Sequence, residues 1–283
     1  MKPDYFCGSR EFPGYRRRLS TLRYGWIGII LYLLMTASPG RAETPRFGDS
    51  TRIVHVYVAL CDNRYQGIVP VPEPLGNGQS PRTNLYWGAR YGVKSFLSAS
   101  GNWDLVQTQN NPRKAILERC VFASNNNNVL IIADAYDGKE IKQTVEDFLA
   151  SAAGLMKDSV GISGKDIPCG GKSELIAYVG HNGLMDFTLS EYPQRQDTTC
   201  RETIILACAS KYYFTAPIDR AGACPLLWTT GLMAPEAYSL IAAIESWASG
   251  QPPDSVRVRA AAAYSRYQNC SLRASKTLFE TGR

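Results

Sequence analysis

Apolar residues along this chain fall into short unbroken runs that alternate with amphipathic stretches. Ile53–Leu60 (IVHVYVAL), Val129–Ala133 (VLIIA), Glu174–Val179 and Thr203–Ala207 read as strands covered on both faces, with Trp103–Thr108 and Leu226–Leu232 as shorter candidates. Between them, Leu85–Ser98 is predicted helical with Asn84 as its N-cap. Lys139–Ala153 carries Ile141, Val145, Phe148 and Leu149 on one face. Pro235–Ser249 and Ser255–Ser271 complete the helices. Strand–helix alternation predicts an α/β fold with a mainly parallel sheet between helical layers, in one domain over 43–283. One segment resists assignment. Residues 64–84, RYQGIVPVPEPLGNGQSPRTN, hold too many Pro and Gly for regular structure and read as a long loop beside the first strand.

The first 42 residues stand apart from that pattern. Arg16, Arg17, Arg18 and Arg23 precede a mostly apolar stretch over 24–37, shorter than the roughly 20 residues of a membrane span. Gly40-Arg41-Ala42 supplies small residues where an export peptidase reads, so residues 1–42 are expected to be a signal cleaved after Ala42; an uncleaved anchor is the alternative. The expected location is periplasmic or extracellular, with no stable membrane insertion after cleavage.

Removing the signal changes the charge. Seven of the 31 Lys/Arg and two of the 25 Asp/Glu lie in it, leaving 24 basic against 23 acidic residues. The basic excess belongs to the signal, and nothing points to nucleic acid. Seven of the eight cysteines remain: Cys61, Cys120, Cys169, Cys200, Cys208, Cys224 and Cys270. An exported chain tends to pair its cysteines, and an odd count leaves at least one thiol over.

The chemistry-bearing residues gather where such sheets place their functional groups, at the carboxyl ends of strands. Asp62, Asn63, Asp134, Asp137, His181 and Cys208 all lie at or just past the end of an apolar run, whereas His55 sits inside one and reads as core. A cysteine attacks as its thiolate, of which only a few per cent exists at neutral pH, and a neighbouring histidine can take the proton and return it to the leaving amine. Two adjacent parallel strands could deliver such a pair to one edge.

The stretches IAYVGHNG at 176–183 and IILACAS at 204–210 resemble the caspase-like cysteine peptidases, a group that includes caspases, metacaspases, legumains and gingipains. The resemblance implies a caspase-like three-layer sandwich, His181 as base, Cys208 as nucleophile, and Asn63 or Asp62 as the residue orienting the imidazole. It also implies an oxyanion donor just after the histidine. Members carry glycine there; this chain has Asn182, with Gly183 one step later. The implied substrate is a peptide or protein, and no cofactor or metal is called for.

Two other readings stay open. Asp62, Asp134, Asp137 and His181 could converge as ligands of a metal-dependent hydrolase. The chain could also be an exported binding module on the same scaffold, with Cys208 a small buried hydrophobe. Two motifs are decoys. Gly171-Lys172-Ser173 lacks the upstream glycine of a phosphate loop and is followed by an apolar strand, and the glycines of LGNGQ precede no helix.

Overall fold

The computed structural model describes residues 50–282, so the arginine-rich segment and its cleavage point lie outside it. Among the described residues, ten strands and six α-helices follow one another. β1 (Arg52–Ala59), α1 (Val93–Ser98), β2 (Trp103–Arg113), β3 (Ile116–Ser124) and β4 (Val129–Tyr136) come first. Then come α2 (Ile141–Ala152), the hairpin β5 (Lys157–Ile162) and β6 (Lys165–Gly170), and β7 (Leu175–Val179). The remainder is β8 (Glu202–Leu206), α3 (Ser210–Ala221), β9 (Cys224–Thr229), α4 (Ala237–Ala248), α5 (Pro253–Gln268), α6 (Leu272–Leu278) and β10 (Phe279–Glu280).

Eight strands form one sheet in the order β10-β9-β8-β7-β1-β4-β3-β2. The five in the middle, β9, β8, β7, β1 and β4, are parallel, while β10 and the β2–β3 hairpin add antiparallel margins. The chain starts in β1, moves to one side for β4, and then builds β7, β8 and β9 on the other. The order therefore reverses beside β1, the position at which sheets of this kind place their functional loops.

Alternation along β1 explains the layers. Val54, Val56 and Val58 face one way, into a core completed by Leu240 and Ile244 of α4 and Val256 and Ala260 of α5. Tyr57 and Ala59 face the other, against Val145, Phe148 and Leu149 of α2 and Phe214 and Ile218 of α3. On α2 the apolar residues recur at helical spacing, which puts Phe148 against the sheet. Its ring meets those of Tyr57, Tyr178 and Phe214 at centroid separations of 6.2, 5.6 and 6.0 Å. Burying a side chain of this size contributes about 2–3 kcal/mol. The fold is thus α/β, with a largely parallel eight-stranded sheet between helices.

Several elements differ from the sequence expectation. The predicted helix over 85–98 shortens to α1; Asn84 Oδ1 accepts Tyr86 N–H at 3.1 Å and also binds the end of β1, accepting from Cys61 N at 3.1 Å while Nδ2 donates to Cys61 O at 2.8 Å. Trp103–Thr108 extends into the long β2, whose partner β3 was not anticipated; its Glu118 and Arg119 break the apolar run yet are both buried. α3 and the β5–β6 hairpin were also unforeseen. The final predicted helix ends as α5 at Asn269, left-handed at φ 55°, and a separate helix α6 follows it beyond the predicted range.

Candidate functional site

β7 and β8 run in register, with Val179 opposite Leu206, so the loops that follow leave the sheet side by side. Gly180 makes the first turn possible. Its φ of +143° suits glycine, and a Cβ there would stand 2.7 Å from Ala59 O at the end of β1. His181 follows, buried, and then the short 3-10 turn Gly183–Met185. After β8, Cys208 is half-buried, and Ala209 turns the chain into α3 in the left-handed region (φ 48°, ψ 37°), where a non-glycine residue costs about 1–2 kcal/mol. Ala209 N–H is tied to Gly231 O at 2.8 Å, and Thr229 Oγ1 hydrogen-bonds Ser210 Oγ at 3.0 Å. The surroundings thus hold a strained turn directly behind the thiol.

The link between the two loops is Asn182. Fully buried, it donates from Nδ2 to Cys208 O at 2.7 Å and accepts Leu184 N–H on Oδ1 at 3.1 Å. The residue that departs from the caspase-like pattern therefore fastens the histidine loop to the cysteine loop.

The imidazole is held by Asp186, whose Oδ2 lies 2.7 Å from His181 Nε2. The same oxygen accepts Gly67 N–H at 3.0 Å. A carboxylate on Nε2 fixes the proton there and leaves Nδ1 as the basic lone pair. Neither residue expected to hold the imidazole does so. Asn63 exchanges two hydrogen bonds with the Val71 backbone, donating at 2.7 Å and accepting at 2.9 Å. Asp62 Oδ1 accepts the N–H groups of Arg64 and Tyr65 at 2.8 and 3.1 Å, closing a turn. The preference for the end of β1 overlooked a carboxylate five residues after the histidine, a spacing visible in VGHNGLMD.

Cys208 does not hydrogen-bond His181 in this arrangement. Its Sγ lies 3.5 Å from Met233 O, to which the S–H donates, and 3.4 Å from Met233 N, whose N–H it accepts. Burial pushes the thiol above its ordinary pKa, and the Met233 backbone offsets only part of that. The thiol is held by the strap 230–236. The strap is itself anchored by Ala234 N–H to Tyr264 Oη at 3.2 Å.

The long loop after β1 is explained by its staples. Gln66 donates to Leu60 O at 2.8 Å and Gly138 O at 3.0 Å; Gln79 donates to Asp62 Oδ2 at 2.8 Å and Asp137 Oδ1 at 2.7 Å. At Gly78 the backbone comes so close that a Cβ would lie 2.3 Å from Asp62 Oδ2. Polar residues that look catalytic in the sequence are spent on pinning 62–84 over the ends of β1 and β4.

The metal reading required Asp62, Asp134, Asp137 and His181 to converge. They divide among three networks instead: Asp62 and Asp137 through Gln79, His181 with Asp186, and Asp134 inside the sheet. Asp134 is completely buried and accepts from Arg119 Nε and Nη2 at 2.6 and 2.7 Å and from His55 Nε2 at 2.9 Å. Burial alone would raise its pKa, but the bonds from Arg119 and His55 prevail and hold it at about 2. His55, Asp134 and Asp158 are the one group of metal-capable side chains that converge among the described residues. Arg119 already bridges both carboxylates, reaching Asp158 Oδ2 at 2.7 Å, so a cation occupies the position a metal would take.

Among the described cysteines, Cys200 and Cys224 form a disulfide across the starts of β8 and β9. Cys61, Cys120 and Cys169 are buried thiols, and burial pushes the first two up to about 11. Cys208 and Cys270 are half-buried. No helix among the described residues is long and apolar enough to cross a membrane. In comparisons with known proteins, no family model, no curated protein and no solved structure matches this chain.

Proposed function

We propose that this chain is an exported cysteine peptidase of caspase-like type, acting on peptide bonds with Cys208 as nucleophile and His181 as general base. The observation that carries the reading is the placement of both residues on adjoining loops at the carboxyl ends of β7 and β8, fastened by the Asn182 Nδ2 bond to Cys208 O at 2.7 Å. Asp186 completes the set as a positioning residue, in place of Asn63 or Asp62.

In the reaction the S–H leaves Met233 O, and its proton passes to His181 Nδ1 as Sγ bonds to the scissile carbonyl carbon. The carbonyl oxygen takes the negative charge, for which Gly183 N–H is the candidate donor. The C–N bond then breaks, His181 gives the proton to the departing amine, and water hydrolyses the thioester by the reverse proton path. Because burial favours the thiol, proton removal accompanies attack and no standing ion pair is needed. The Cys200–Cys224 disulfide fits an oxidising compartment.

The test is cleavage of a mixed peptide library by the chain over 43–283, read by mass spectrometry. Cleavage should vanish in Cys208→Ala. It should fall at least about 100-fold in His181→Ala. Asp186→Asn should lower kcat more than it raises KM and change the pH profile, since the carboxylate that holds the imidazole is lost. Cleavage that survives in Cys208→Ala would remove the proposal.

A further inference from the structure

Eight large apolar side chains are exposed among the described residues, and five of them stand on the loops that carry the candidate site. Tyr65 and Val69 flank Gly67, the residue bonded to Asp186. Met185, 41 % exposed, directly precedes Asp186 after β7. Leu232, 56 % exposed, directly precedes Met233, whose backbone brackets the thiol. Tyr212, 81 % exposed, lies in the first turn of α3, with its N–H on Ala209 O at 3.1 Å. Cys208 lies just past the end of β8, and in the sheet order β8 stands between β7 and β9, so the loops bearing Met185 and Leu232 leave the sheet on either side of the cysteine loop.

Charge on the three segments that follow β7, β8 and β9 points the same way. Over residues 181–187, 208–212 and 230–236 the ionisable side chains besides the thiol and tyrosine are His181, Asp186, Lys211 and Glu236. His181 and Asp186 pair with each other. Lys211 pairs with Glu280. Glu236 accepts from Tyr238 Oη at 3.0 Å and Gln268 Nε2 at 3.1 Å. A site that selects acidic or basic side chains needs an opposite charge to meet the desolvated group. On these three loops each charge already has a partner within the protein, and the large apolar side chains they expose are Met185, Tyr212 and Leu232; on the loop after β1, Arg64 is exposed beside Tyr65.

We infer that this edge binds peptides through a bulky apolar side chain, Leu or Phe in class, seated between Met185 and Leu232. The inference rests on the peptidase reading only for which bond is cut; recognition of the side chain is a separate claim.

The test separates the two. Binding is measured by fluorescence anisotropy on the Cys208→Ala protein, where no turnover occurs. The probes are N-terminally fluorescein-labelled pentapeptides Ala-Ala-X-Ala-Ala with X as Phe, Leu, Asp or Lys. The Phe and Leu peptides should bind at least about tenfold tighter than the Asp and Lys peptides. Met185→Ser with Leu232→Ser, both on exposed positions, should erase that preference. Equal binding of all four, no binding of any, or a preference that survives the double substitution would overturn the inference. Cleavage of the same peptides by the unsubstituted protein reports on the chemistry. An apolar binding preference without cleavage would support this inference and remove the peptidase reading; cleavage without the preference would do the opposite.

Discussion

Replacing Asp134 by Asn should destabilise this protein severely while leaving its thiol chemistry intact. Asp134 accepts three hydrogen bonds inside the sheet, two from Arg119 and one from His55. His55 can only donate from Nε2, because its Nδ1 accepts Gly170 N–H at 2.9 Å. An asparagine offers one acceptor oxygen and one NH2 to three donors, so an N–H must face an N–H. It also leaves the Arg119 guanidinium with Asp158 as its remaining carboxylate. Removing one partner of a buried pair costs about 3–5 kcal/mol. With a urea dependence of about 2–3 kcal/mol per molar, the midpoint should fall by about 1–2 M. A second substitution, Arg119→Met, should restore part of the loss, because it removes the stranded charge. The acid limb follows with a defined sign. The Asp134 pKa is depressed from 3.8 to about 2, so its stabilisation is complete above about pH 4 and is lost as pH falls toward 2. The Asn variant should show less acid dependence over that window. A loss under about 1 kcal/mol would refute the reasoning. So would a chelator that destabilises the unsubstituted protein by as much as the substitution does, because the cluster would then be holding a metal.

Other outcomes follow from the thiols. Reducing Cys200–Cys224, which are 24 residues apart, should cost about 3 kcal/mol of stability by releasing loop entropy to the unfolded chain, read as a lower urea midpoint in dithiothreitol. Alkylation of Cys208 by iodoacetamide should rise with pH around a midpoint above the ordinary thiol value of about 8.5, since burial favours the S–H form; a midpoint below about 7 would show a preformed ion pair and contradict the Met233 arrangement.

The parallel core was legible because its strands are buried on both faces, and IVHVYVAL or VLIIA admits few alternatives. β3 was not, because Glu118 and Arg119 interrupt the pattern. Their burial depends on Lys94 and Asp134, partners distant in sequence. The strand ends carrying His181 and Cys208 were equally legible, since apolar runs stop at them. Their partners were not. Asp62 and Asn63 occupy the expected position yet are consumed by the loop they begin, and only the path of residues 62–84 over the sheet reveals it. Asn182 looked like a defect in a motif, but its bond to Cys208 O requires β7 and β8 to be neighbours, which periodicity alone does not establish. Met233 lies 25 residues from the thiol it covers, beyond any local pattern.

The central claim, that Cys208 and His181 act together, is tested most directly by covalent capture. The folded protein is treated with a peptidyl chloromethyl ketone bearing Phe next to the reactive group, and the modified residue and its rate are read by mass spectrometry. Modification is expected at Cys208 alone, slowed at least about 100-fold in His181→Ala. Modification that spares Cys208, or proceeds at the same rate without His181, would contradict it.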